Sequence, residues 1–403
     1  MRVVVSLTTI PDRANLLQRT LASLQRQTYP PDAIYLWLPE PLFAGGPSTL
    51  PSMDGVIVTS GPDPGPVMKL LPVLDRELDP ETCVITVDDD IEYPPGLVER
   101  LTAASILLPD HALGFTGWNR VDSPAGPEVW HFNEEVPHAA MFQPVQVLEG
   151  YRGVIYRRRF FTQDIHRHLA AQPAFRFHDD ILLSGYLASR GIARTVCWYT
   201  TYPPPPGSHW QLHGDAIGLH TRPAWLAEAW QAWDYWNHCK AGIFSSPPLL
   251  NRTERLQLLV DSQARPGFLH HCRKGGTTCD HSFDLACQPW PWPDAQFREL
   301  LLLDTWPDRK EDALQWLQEA WRILKEGGIF RLRLPSNLTQ SHADASNQGG
   351  TLTPPFAEVS AISPFKPSSY SPSPRSLYPG WRSTWHQEGD SQVGTFLKTQ
   401  KPT

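Results

Sequence analysis

The stretch VITVDDDIEYP, residues 84–94, carries four β-prone residues straight into three carboxylates and then into a Tyr-Pro-Pro turn. A short apolar run bounded by turn residues reads as a strand buried on both faces. Side chains alternate along an extended chain, so a strand drawn through residue 90 sends Asp88 and Asp90 to one side and Asp89 to the other. The first two then converge on one ion. Ligands of open α/β sheets bind beyond the carboxyl ends of the strands, which is where this run falls. A solvated acidic turn is the competing account of the same triplet.

Working outward, residues 3–10 form a β-branched run ending at a Thr-Ile-Pro turn, and 15–27 carry Leu16, Leu17, Leu21 and Leu24 at helical spacing. AIYLWLP (33–39) and GVIVTS (55–60) add two short strands, VMKLLPVLDREL (67–78) a helix, and CVITVDDD (83–90) the next strand. Strands alternating with helices predict a doubly wound, mostly parallel α/β sheet covered on both faces. Residues 114–144 read as a long polar and aromatic loop of the kind that holds substrates. Order returns at 149–161 and in a helix from near Asp180 to Gly191, and a Trp-rich helix at 225–236 closes the first domain near residue 240.

The chain has 403 residues, enough for two domains and a tail: 1–240, a linker or helical connection at 241–264, a weaker α/β region at 265–340, and a Ser/Pro-rich tail at 341–403 read as disordered. A formal charge of −7 offers no basic field for nucleic acid or for more than peripheral membrane contact. Six irregularly spaced cysteines make no disulfide framework, and no apolar span approaches a membrane crossing. Those features predict a cytoplasmic protein.

His178, Asp179 and Asp180 open the helix ending at Gly191, where one acid serves capping and the helix dipole. The second is spare. A carboxylate there suits the task of taking a proton from an attacking hydroxyl. Trp118 and Tyr151 offer aromatic faces for stacking, with Asn119 beside them, and Gly150 and Gly153 are small enough for backbone to come close to a ligand. His209, His213 and His220 fall in a loop near the end of the first domain, where a histidine serves as a surface residue or as a further metal ligand. The cluster of His270, His271, Cys272, Cys279, His281 and Cys287 lacks the Cys-x-x-Cys spacing of a structural zinc site.

VVVSLTTIPDR, GPVMKLLPVL, VITVDDDIEYPPGLVERL, EGYRGVIYRRRFF and FHDDILLSGYLASRGI, in this order over about residues 1–200, resemble the GT-A glycosyltransferases, particularly family-2-like bacterial sugar transferases. The resemblance implies a nucleoside-diphosphate sugar donor, a glycan or lipid-linked sugar acceptor, and Mg2+ or Mn2+ at a DXD motif. It places Thr9, Pro11 and Arg13 at the nucleotide, Lys69 at the nucleotide or diphosphate, and Asp89 beside them. Asp88 falls at the ribose or the metal's water, and Asp90 at the metal itself. Asp179 or Asp180 becomes the base of an inverting transfer, although retaining enzymes share the sheet.

Residues 287–336 resemble the C-terminal half of class I S-adenosylmethionine-dependent methyltransferases, through LLLLDTWPD (300–308) and AWRILKEGGIFRLRLP (320–335). The glycine-rich first turn of that family has no convincing counterpart near Gly275 and Gly276, so the region reads as truncated. Two other functions remain in view at this stage. A nucleotidyltransferase on a similar sheet wants a glycine-rich loop after the first strand, which SLTTIPDR lacks; a catalytically silent glycan-binding or scaffold protein would ignore loss of Asp90.

Overall fold

The computed structural model describes residues 1–43, 54–123, 126–132, 142–197, 211–212 and 218–244, and further on 255–260, 269–274, 277–279, 290, 295, 297–303, 310–334, 381–388 and 391–398. The chain divides into two compact units, Met1–Leu249 and Leu250–Thr403.

The first unit opens with β1 (Val3–Thr8), α1 (Ala14–Gln25), β2 (Ala33–Pro39) and β3 (Val56–Gly61). It continues with α2 (Leu71–Arg76), β4 (Cys83–Thr86), β5 (Ile91–Glu92), α3 (Leu97–Leu107) and β6 (His111–Gly114). Then come β7 (Gly117–Ser123), β8 (Gly126–Phe132), β9 (Phe142–Pro144), β10 (Val147–Leu148) and β11 (Val154–Arg157). Helix α4 (Ile165–Ala171), α5 (Asp179–Ser189), β12 (Ala193–Cys197), β13 (Gln211–Leu212) and α6 (Trp225–Cys239) complete it. Eight strands join in the order β3-β2-β1-β4-β11-β6-β12-β9. β3, β2, β1 and β4 are parallel neighbours, β11 runs against both β4 and β6, and β12 lies parallel to β6. The architecture is the mostly parallel, doubly wound α/β sheet that the alternation of strands and helices predicts.

Val3, Val4, Val5 and Leu7 are fully buried, as a central strand covered on both faces requires. α1 buries Leu17, Thr20, Leu21 and Leu24 on one stripe. The single helix expected over 67–78 is instead a 3-10 turn, Pro66–Lys69, followed by the short α2. Pro72 explains the break: without an N–H it is tolerated in the first turn of a helix and not in its interior. The strand expected over 83–90 stops at Thr86, and the acids lie in the turn beyond it.

The loop expected over 114–144 is corrected by the structure. β7 and β8 form an antiparallel pair, and β10 joins β7 to make a separate three-stranded sheet. Trp118 stacks on Trp233 of α6 at 5.5 Å between ring centroids, so this hairpin is anchored by aromatic packing.

The second unit holds β14 (Arg255–Val260), β15 (Leu269–Lys274), β16 (Thr277–Cys279), β17 (Phe297–Leu303), α7 (Lys310–Ile323), β18 (Leu324–Leu334), β19 (Trp381–Glu388) and β20 (Ser391–Lys398). They form one sheet in the order β16-β15-β14-β17-β18-β20-β19. Two expectations are corrected here. The connection at 241–264 carries strand β14, and the tail at 341–403 contains the antiparallel pair β19 and β20, the latter paired with β18. The strand, helix and strand read over 300–335 stand as β17, α7 and β18, with the register slipping between Leu324 and Ile329 where Gly327 and Gly328 fall. β15 does lead toward Gly275 and Gly276, but it pairs antiparallel with β16 beyond them. The side chains of His270, His271, Cys272 and Cys279 lie outside the described residues, as do His281 and Cys287.

Gly185, in the middle of α5, packs against the fully buried Trp236, and a Cβ there would run into the indole ring. Gly185→Ala is therefore expected to destabilise the first unit by about 1–3 kcal/mol through overpacking, despite the roughly 1 kcal/mol that alanine gains over glycine in a helix. Urea denaturation followed by tryptophan fluorescence measures this; a stability equal to or above the parent's would show that the indole has room to move.

Candidate functional site

Because β1 and β4 are parallel, the residues that follow them, Thr9 and Val87 to Asp90, emerge at one edge of the sheet. β11 runs the other way, and Val154 pairs with Thr86, so Gly150 to Gly153 arrive at that same edge. The turn Pro66–Lys69 follows β3, and α5 begins with Asp179 and Asp180. Five separated segments thus meet at this edge and bring charged side chains together.

Lys69 joins two of them. Its Nζ lies 2.7 Å from Asp88 Oδ1 and 3.0 Å from Asp179 Oδ2, with its side chain 5% exposed. Burial works against the ammonium charge, but Asp179, Asp88 and Asp180 together outweigh it and hold Lys69 well above its ordinary value. Asp180 accepts the Gly150 N–H at 3.0 Å. Burial first and the charge of Asp179 second raise the Asp180 carboxyl well above the carboxylate range, against the pull of Lys69.

A second cluster lies beside the first. Arg13 Nη1 stands 2.9 Å from Asp89 Oδ1 and 3.2 Å from Asp90 Oδ2. Thr9 donates its hydroxyl to Asp89 Oδ2, and Thr20 donates to the Asp89 carbonyl. Burial lifts Asp89 above the usual carboxylate range against Arg13 and Thr9; burial and then the charge of Asp88 push Asp90 up to about 6. Pro11 opens an exposed 3-10 turn, Pro11–Arg13, that delivers Arg13 to the acids.

The alternation expected for the triplet is corrected by these contacts. Asp89 and Asp90 both turn to Arg13, and Asp88 turns alone to Lys69. Alternation holds only while the ladder lasts, and the ladder ends at Thr86.

On the expected acceptor side the structure redistributes the roles. Trp118 is buried, stacked on Trp233 and edge-on to Trp230, so its ring face is taken by the core and no sugar stacks there. Asn119 is also buried, with its Oδ1 accepting the Gln146 N–H at 2.7 Å, and so shapes the hairpin. A Cβ on Gly150 would lie 2.9 Å from Lys69 Nζ and 3.1 Å from Asp180 Oδ1, so glycine there makes room for the charge cluster. Gly153 has φ of +91°, which excludes most other residues, and faces Leu97 of α3. Tyr151 is half-buried, and its carbonyl accepts the Tyr93 hydroxyl at 2.8 Å.

Tyr93 and His178 were not singled out as site residues by sequence reasoning. The Tyr93 hydroxyl accepts the Asp88 N–H at 2.8 Å and donates to Tyr151, tying the acidic turn to the Gly150 segment. The Tyr-Pro-Pro turn right after the acids carried that signal. His178 is buried with its ring 4.0 Å from that of Trp225, and burial drives it down to about 4, so it is neutral at pH 7. His209 and His213 lie outside the described residues; His220 is in the 3-10 turn Leu219–Thr221, with its side chain outside them.

Carboxylates are the donors a hard divalent cation takes, and here Asp88 is engaged by Lys69 and Asp90 by Arg13. Asp90 is a buried carboxyl crowded by Asp88, and Asp88 Oδ2 has no protein partner among the described residues. Among the described residues no three of His, Cys, Asp or Glu gather as a complete cage. A Mg2+ type of site completes itself from phosphate oxygens and water and needs no such cage.

Comparison with protein-family models gives no match, and neither does comparison with curated proteins. Among solved structures the chain is similar to Staphylococcus aureus TarS 1–349 in complex with UDP, at 14% identity over 49% of this chain and 57% of that one, with a TM-score of 0.30. The chain thus spans little more than half of the TarS structure. It is also similar to a 4-diphosphocytidyl-2C-methyl-D-erythritol synthase, at 13% identity over 57% of this chain and 98% of that one, with a TM-score of 0.32. No helix among the described residues is long and apolar enough to cross a membrane.

Replacing Lys69 removes the buried cation from between three carboxylates. Lys69→Met is expected to cost about 3–5 kcal/mol at neutral pH, the usual penalty for a buried charge left without its partner. Since the folded value of Lys69 is raised, its contribution is fully present below the unfolded value of about 10.4 and fades only as pH climbs toward the folded one. In acid the deficit of the variant should shrink as the carboxylates protonate. Denaturation curves at pH 4, 7 and 9 read this directly, and a neutral-pH cost near zero would contradict the bridging role.

Proposed function

We propose that the first unit is a nucleotide-sugar-dependent glycosyltransferase that moves a sugar from a nucleoside diphosphate to a hydroxyl of a glycan or lipid-linked acceptor. The observation that carries this reading is Lys69 joining Asp88, at the end of β4, to Asp179, at the start of α5, with Asp180 beside them. Acids from two distant segments meet across one cation at the carboxyl edge of a parallel sheet, where ligands of such sheets bind.

The contacts support the following roles. Arg13 and Lys69, each ion-paired to the acids, are the cations that would face the nucleotide and its diphosphate. Mg2+ or Mn2+ bound by Asp88 and Asp90 would neutralise charge on the diphosphate leaving group. Thr9 and Thr20 hold Asp89, so that it orients the turn from behind the ligand-bearing pair. Asp179 stays with Lys69. Asp180 is the base: its carboxyl has a raised proton affinity, and the Gly150 N–H fixes its Oδ1. In the transfer, the acceptor oxygen bonds to the anomeric carbon, the bond from that carbon to the diphosphate oxygen breaks with its electron pair, and the acceptor proton passes to Asp180. Attack from the face opposite the leaving group makes the reaction inverting.

The chemistry also sets a stability trade. Asp180 has a folded value above the unfolded one, so the folded state binds more protons and loses stability as pH rises between the two values. Asp180→Asn is expected to gain on the order of 1–2 kcal/mol at pH 7, with the gain gone below about pH 4, while turnover falls roughly 10²- to 10⁴-fold. A panel of UDP-, GDP- and CDP-sugars with Mn2+, scored by thermal shift and by release of the nucleoside diphosphate, tests both halves. Donor-independent melting, or turnover unchanged in Asp180→Asn and Asp90→Asn, would replace the transferase with a catalytically silent binding protein.

A further inference from the structure

Arg176 lies in the 3-10 turn Pro173–Arg176, three positions ahead of Asp179, and Asp63 lies six positions ahead of Lys69. Arg176 closes on Asp63 with both terminal nitrogens: Nη2 lies 2.6 Å from Asp63 Oδ2, and Nη1 donates to the Asp63 carbonyl at 2.8 Å. The other carboxylate oxygen, Oδ1, accepts the Gly65 N–H at 2.9 Å. Gly65 has φ of +88°, and a Cβ on it would run into the backbone carbonyl of Arg176, so the two main chains touch directly. The next residues, Pro66–Lys69, form the turn that delivers Lys69, and the Met68 N–H returns to the Gly65 carbonyl at 2.9 Å.

We propose that Asp63, Gly65 and Arg176 form a clamp that positions Lys69 against Asp179, and hence sets the geometry of the reacting site, without touching substrate themselves. The physical case is one of levers. Lys69 and Asp179 come from segments far apart in sequence, and each long side chain on its own would sample many rotamers. The clamp fixes the two main chains to each other a few residues upstream of both partners. A bidentate arginine holds carboxylate and carbonyl in one plane, which lysine cannot reproduce. The Arg176 side chain is about half exposed, so solvent screens the pair and it contributes little stability of its own; its use lies in register. The catalytic consequence rests on the transferase reading, whereas the positioning itself does not.

The test is a double-mutant cycle on the full chain, read from denaturation midpoints without any sugar donor. Arg176→Ala and Lys69→Met are measured singly and together, with Arg176→Lys alongside. The expected result is coupling: Arg176→Ala lowers the midpoint in the parent and has little or no effect once Lys69 is methionine, because nothing remains to be positioned. Arg176→Lys should return only part of the loss. Shifts that simply add, or full rescue by lysine, would overturn the clamp. Should Arg176→Ala fail to fold, Asp63→Asn replaces it in the cycle, since it keeps an acceptor for the Gly65 N–H and removes only the charge. If donor turnover is absent but the cycle shows coupling, the transferase reading fails and the clamp stands; where turnover exists, Arg176→Ala should lower kcat more than it raises the donor KM.

Discussion

A buried ammonium holds this site together. Lys69 has lost nearly all its water, a loss that costs several kcal/mol for an ion of its kind. Two carboxylates lie within 3.0 Å of its nitrogen, and each such pair is worth about 4 kcal/mol gross at an effective dielectric near 20. The attraction therefore exceeds the penalty only because there are two partners, and one alone would roughly break even. This accounts for the convergence of a turn after β3, the end of β4 and the start of α5 on one point. Take away either acid and the lysine has little reason to stay buried.

The same arithmetic organises the neighbouring cluster differently. Arg13 also serves two acids, but from one terminal nitrogen, Nη1, and with the hydroxyls of Thr9 and Thr20 sharing the load at Asp89. Asp90 receives only the longer contact and carries the charge of Asp88 nearby, which leaves it the least compensated member of the run. A run of three aspartates thus separates into an acid held by its scaffold, an acid held by Lys69, and an acid that shares Arg13 at the longer distance. On the proposed reading the last two are the pair a metal would take, and the first explains why a third aspartate stands there at all.

The sheet was legible from the sequence because its strands are buried on both faces and written as unbroken β-branched runs; Val3 to Leu7 and Cys83 to Thr86 leave no other reading. That order puts the acidic run Asp88 to Asp90 beyond the end of a strand, whereas Lys69 and the role of the Asp179–Asp180 pair came only with the glycosyltransferase resemblance. What the sequence hid were effects of partners distant in the chain. The alternation drawn through Asp90 failed because the turn is fixed by Arg13 and Lys69 and no longer by a ladder. Trp118 looked available to a sugar because its stretch reads as a polar and aromatic loop, and nothing local reveals that Trp233 of α6 covers it. The β7–β8 hairpin was obscured by the polar and aromatic residues that such partners tolerate. In the second unit, WRSTWHQE and SQVGTFLK alternate over a Gly389-Asp390 pair and contained a hairpin signal. The Ser/Pro composition of the surrounding tail outweighed it.

On the proposed reading, Asp180 suits the base better than Asp179 for reasons that capping alone would not create. Both acids sit in the first turn of α5, where a helix dipole favours negative charge. If that were their only use, either would do and neither would need the room that Gly150 gives. Yet a Cβ at Gly150 would press on Lys69 and on Asp180 at once, while Asp179 is engaged by the lysine from the other side. The room that Gly150 leaves therefore serves Lys69 and Asp180 together. An acid meant to accept a proton must keep one oxygen fixed and the other reachable, and it must not be neutralised by a permanent counter-ion. Asp179 fails the last condition through its ion pair. Asp180 meets it because Lys69 acts on it only through space, too weakly to offset its burial.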